Sequence, residues 1–188
     1  MRVVVVFLAA LLLSACIATR DPFVSTSATV PSGNWRIESQ MDPVTRAPLS
    51  SALLVSRISS NSAVPYPRPV TLQLTCFKDQ PMVRLAFQFK VGTSPNSFLG
   101  YSFDEKPGRD IDARFLQQHD TVVIENRVEV EQFAKELATS SVLLIRIRSL
   151  NAGRTTAEFR VDGAPEAIKA GFAGCPLSTD PPRRSRTT

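Results

Sequence analysis

The chain has 188 residues, a net charge of +5, three cysteines and a single histidine. That length suits one domain able to bury a sizeable core, and the basic side chains are scattered without a recognition motif, which excludes nucleic acid as a partner and leaves a mild attraction to anionic headgroups. With one histidine and no C-x-x-C spacing, neither a metal centre nor a cofactor motif is indicated.

The first element is a leader. Arg2 precedes an uninterrupted apolar run from Val3 to Leu13, the charged and hydrophobic regions of a secretory signal peptide and too short to span a bilayer as a helix. Directly after it, "LSAC" ending at Cys16 resembles the bacterial lipobox. That resemblance implies cleavage after residue 15, lipidation of the Cys16 thiol and acylation of its new amine, and so attachment to a membrane that is essentially permanent. Ile17 follows where an Asp would signal retention in the inner membrane, so the resemblance implies the outer membrane, facing the periplasm. The competing reading is an ordinary signal peptide with a cysteine nearby by chance.

Residues 16–32 are small, polar or turn-forming and read as a flexible tether; 33–177 read as one β-rich domain, and the tail 178–188, "STDPPRRSRTT", as a basic segment unable to build a core. Within the domain, Trp35, Ile37, Ser39 and Met41 alternate with Arg36, Glu38 and Gln40. A turn at "DPVTRAP" and a second strand through Leu53, Val55 and Ile58 complete an expected pair. "SNSAVPYPRP" carries three prolines and reads as an exposed extended loop. Val70, Leu72, Leu74 and Cys76 then share one face, "KDQP" turns, and Val83, Leu85, Phe87, Phe89 and Val91 return, the clearest hairpin in the chain.

Leu99, Tyr101 and Phe103 continue the sheet, and "DTVVIEN" offers a shorter strand. The period then changes: Val130, Phe133, Ala134 and Leu137 stand at i, i+3, i+4 and i+7, the stripe of a short helix. Strands through Leu143, Ile145 and Ile147 and through Ala157, Phe159 and Val161 follow around "NAGR", and a last helix is expected over "APEAIKAGF" with Pro165 in its first turn. The fold class is therefore mainly β, an antiparallel sandwich-like domain with two short helices in its C-terminal half.

Lipidation of Cys16 would leave Cys76 and Cys175 as an even pair, which outside the cytosol is normally oxidised. Such a bridge closes a loop of about a hundred residues, for which chain entropy gives about 4 to 5 kcal/mol, and pins the last helix to the sheet. The rival reading of these two is a redox-active pair or metal site. Catalysis would have to start from His119 beside Asp120, with Ser140 or Ser141 as nucleophile, but no G-x-S-x-G elbow surrounds either serine. "DEKPGRDID", residues 104–112, faintly follows a calcium loop but lacks EF-hand spacing and reads as a self-neutralising surface loop. Arg146 and Arg148 point outward and read either as a contact for an acidic partner or as charge protecting a strand edge.

From about Gly33 to Cys175 the pattern resembles periplasmic proteins encoded with type VI secretion systems, through Trp35 with Asp42, Cys76, Tyr101 with Phe103 and Asp104, Phe133 with Leu137, and Gly163 with Ala167 and Ile168 before Cys175. The resemblance implies a disulfide-closed envelope module without known catalysis. The resulting expectation is a lipid-anchored, non-enzymatic accessory or assembly factor that binds an envelope protein, with a lipid-anchored hydrolase of envelope polymers or a small-ligand carrier as alternatives.

Overall fold

The computed structural model describes residues 26–177 apart from 42, 43, 45, 47, 66 and 117. The expected leader, Cys16, most of the tether, Asp42 and the basic tail lie outside the described residues. In chain order the elements are β1 (Thr26–Ser32), β2 (Trp35–Met41), β3 (Pro48–Ser56), β4 (Ile58–Asn61), β5 (Val70–Phe77), β6 (Gln80–Phe87), β7 (Ser97–Phe103), β8 (Arg109–Ile111), β9 (Arg114–Phe115) and β10 (Thr121–Ile124). Helix α1 (Arg127–Leu137), β11 (Val142–Ser149), β12 (Gly153–Arg160) and helix α2 (Ala164–Gly171) complete the chain.

Two antiparallel sheets result. The larger has the order β1-β2-β3-β5-β6-β10-β9 and the smaller β4-β12-β11-β7-β8. The hairpin of β5 and β6 forms as its alternation requires: Val70, Leu72 and Leu74 lie opposite Phe87, Leu85 and Val83, and all six are buried. Both expected helices are present. Asn126 caps α1 by accepting from the backbone N–H groups of Val128 and Glu129, and Pro165 occupies the first turn of α2.

The helices fill the space beside the sheets. Helix α2 packs on β2, β3 and β5, and α1 on β6. Phe133 of α1 meets Tyr101 and Phe103 of the smaller sheet edge-on at 5.0 and 5.2 Å between ring centroids, a favourable aromatic geometry. Both sheets and both helices therefore share one continuous apolar core. At its rim the Trp35 indole donates to the Val161 carbonyl at 3.3 Å, tying β2 to the end of β12.

Several expectations need correction. β1 occupies 26–32, the end of the segment read as tether, and pairs with β2, so the folded domain begins before residue 33. The second strand is one residue out of phase with the reading. Ala52 and Leu54 face the core, whereas Val55 and Ile58 are 53% and 58% exposed, because apolar residues occupy both parities of this stretch and the pairing of Ala52 with Leu74 decides between them. Ile58 begins a separate strand in the other sheet, and Ser60 and Asn61, read as loop, belong to it. β7 pairs with β11, not with the preceding hairpin; the strand that extends that hairpin is β10. β11 lies between β12 and β7, so Arg146 and Arg148 cannot be guarding a sheet edge.

Candidate functional site

The disulfide between Cys76 and Cys175 is formed, with 5.9 Å between the Cα atoms. It fastens β5 to the turn after α2, where Cys175 is buried. The residues that catalysis would have to start from, His119, Asp120, Ser140 and Ser141, are all described. The His119 backbone has φ 65°, donating to the Leu116 carbonyl and accepting from Val91 N–H, which makes it a turn residue. Asp120 accepts from the Thr121 hydroxyl, and the Ser140 hydroxyl donates to the Glu136 carbonyl at the end of α1. Among the described residues no hydrogen bond joins His119 or Asp120 to either serine.

The charges of residues 104–112 diverge to different neighbours. Asp104 accepts from the backbone N–H groups of Ser141 and Val142, both at 3.0 Å, and these bonds hold its carboxyl below the usual carboxylate range. Arg109 lies over the Tyr101 ring, 5.0 Å from its centroid, and donates to the Tyr101 hydroxyl through both Nε and Nη2. Glu129 and Glu136 of α1 approach the same guanidinium at 3.5 and 3.8 Å. Burial pushes the Tyr101 phenol up, only partly countered by Arg109; burial also works against the Arg109 charge, but the bond to Tyr101 and the two glutamates more than compensate. This cluster clamps α1 to the rim of the smaller sheet.

The outer face of that sheet carries the candidate site, a groove of about 730 Å³ crossing β4, β12, β11 and β7. Strand register arranges its floor in rows. Ile58, Glu158, Leu144 and Ser102 stand side by side in one; Ser60, Thr156, Arg146 and Gly100 form the next, with Asp110 at its end. The third has Arg154 opposite Arg148, beside Phe98. Pro67 walls the groove at the β4 end, and a second depression of about 610 Å³ continues from Ser60 and Thr156 to Arg148 and Arg154.

Gly100 shapes this floor. A Cβ there would stand 2.5 Å from Asp110 Oδ1. Its absence lets Asp110 on β8 reach across β7 and bind Arg146 Nη2 at 2.7 Å and Arg148 Nη2 at 2.6 Å. Arg57 and Arg154 have no carboxylate within ion-pair distance among the described residues. The groove and the depression beside it are lined by Arg57, Arg109, Arg146, Arg148 and Arg154 against Glu158, with Asp110 paired to two of them, so the face is basic, with Ile58 and Leu144 as exposed apolar ground between the charges.

Sequence reasoning found Arg146 and Arg148 on the outward parity of β11 but missed the groove, which needs β7 and β4, far back in the chain, set beside the β11–β12 hairpin. The one signal available was the outward triplet Leu144, Arg146 and Arg148, an apolar residue followed by two cations on a strand face. In comparisons with protein-family models, curated proteins and solved structures, none matches this chain.

Proposed function

We infer that this is a lipid-anchored protein of the bacterial envelope whose β domain binds another envelope protein without catalysing a reaction, as an accessory or assembly factor of a secretion system. The observation that carries the binding role is the open, basic, partly apolar groove on the outer face of the smaller sheet. The lipobox-like "LSAC" supports the anchor at Cys16 and an outer-membrane location facing the periplasm, and the bridge between Cys76 and Cys175 suits an oxidising compartment. The secretion-system assignment is supported by the sequence resemblance alone. A ligand carrier would use an enclosed cavity between sheets, whereas this groove opens outward.

Replacing Cys16 by Ser tests the anchor. The Cys16→Ser chain should move from the membrane to the soluble fraction of lysed cells; retention in the membrane would refute anchoring through this residue. Crosslinking in intact cells, followed by capture and mass spectrometry of both forms, tests the role. The expected result is one dominant envelope partner, depleted in the unanchored form, and absence of any partner in both forms would remove the accessory reading.

A further inference from the structure

We propose that the groove binds an extended acidic polypeptide segment, with an apolar side chain over Leu144 and Ile58 and carboxylates at alternate positions over Arg146 and over the Arg148 and Arg154 pair. The proposal rests on the binding role inferred above and names the chemistry of the partner.

Charge identifies the occupant. Arg148 and Arg154 stand directly opposite one another on adjacent strands, a like-charged pair that disfavours the sheet unless an anion lies between them. Asp110 answers Arg148 and Arg146 with one oxygen each, and Arg154 has no carboxylate partner among the described residues. Each guanidinium presents five N–H donors, so engagement with one Asp110 oxygen leaves donors for a second carboxylate.

Spacing identifies the form. Successive rows of the floor are two residues apart along each strand, about 6.6 to 6.8 Å, which is also the repeat of same-side residues in an extended peptide. A segment aligned with β11 therefore sets one side chain over each row in turn. Ser60, Thr156 and Ser102 stand beside its path as hydroxyl donors and acceptors. Pro67 lies at the β4 edge of the floor and β8 at the opposite edge, so a segment aligned with the strands passes over the rows between them.

The test uses the full chain and a fluorescein-labelled peptide with one leucine and two glutamates at alternate positions separated by threonines, alongside a twin with glutamines for the glutamates. The glutamate peptide should bind about tenfold more tightly or better, and less tightly as salt rises. Arg154→Gln, which removes a side chain with no ion-pair partner among the described residues, should weaken it severalfold, and Arg148→Glu with Arg154→Glu should abolish it. Equal affinity for the two peptides, or no saturable binding of the acidic one below about 1 mM, would overturn the proposal. So would arginine-dependent binding to phosphatidylglycerol vesicles without peptide binding, which would reassign the face to lipid. A photo-crosslinker at position 144 in cells separates this inference from the reading beneath it: the crosslinked peptide should be acidic and extended. A partner captured only from positions off this face leaves the binding role standing and removes the groove; no partner from any position removes both.

Discussion

Asp104 makes a single side chain answerable for the start of a strand. Its backbone sits at φ 51°, a region that aspartate and asparagine tolerate better than most residues, and its carboxylate accepts the first two amides at the β11 end. Because folding favours the ionised form, the stabilisation is complete above the unfolded carboxyl pKa of about 4 and fades as pH falls through the lower folded value. Asp104→Asn keeps the backbone preference and an acceptor but removes the charge. It should lower Tm modestly at neutral pH, with the gap to the parent closing below about pH 4 in melts followed by circular dichroism. A gap that stays constant down to about pH 3 would show that the charge on Asp104 does not contribute through these amides.

At the scale of elements, α2 lies tightly against β5. A Cβ on Gly171 would stand 2.8 Å from Leu74 Cβ and 2.9 Å from the Leu74 carbonyl oxygen. Alanine favours the helix by about 1 kcal/mol, but relieving contact with a backbone carbonyl means moving the whole helix against a disulfide that holds its end. Gly171→Ala should therefore destabilise by a net of about 1 to 2 kcal/mol, seen as a lower urea midpoint with unchanged slope. An unchanged or higher midpoint would mean that α2 slides freely on β5.

The elements also show what could be read in advance. Strict alternation made the hairpin of β5 and β6 legible, and the spacing of Val130, Phe133, Ala134 and Leu137 did the same for α1, since each pattern states a period and a face together. In β3 apolar side chains occupy both faces, so only Leu74 and Leu72 across the ladder choose Ala52 and Leu54. β8 and β9 have three and two residues, too few to carry a period, and exist because β7 and β10 offer them edges. Alternation in β7 correctly placed Leu99, Tyr101 and Phe103 inside but held no information about which sheet they join. The pairing of Cys76 with Cys175 was legible only once the lipobox resemblance set Cys16 aside, whereas the groove depends on register among four strands and was not.

For the molecule as a whole, the bridge between Cys76 and Cys175 spans 99 positions and joins the larger sheet to the last helix. A loop of that size restricts the unfolded chain by about 4 to 5 kcal/mol in the chain-entropy model. At about 2 to 4 °C per kcal/mol for a domain of this size, reduction, or replacement of both cysteines by serine, should lower Tm on the order of ten degrees. Identical melts of the oxidised and reduced chain, with two free thiols titrated in the reduced one, would show that packing alone fixes α2. Between the two halves of that bond lie seven strands and both helices. At translation rates of about 5 to 20 residues per second, the nascent chain carries Cys76 for roughly 5 to 20 seconds before its partner is made. For that interval the thiol is open to any other oxidised sulfur within reach, so the yield of correctly closed domain depends on the timing of synthesis as well as on the stability of the finished fold.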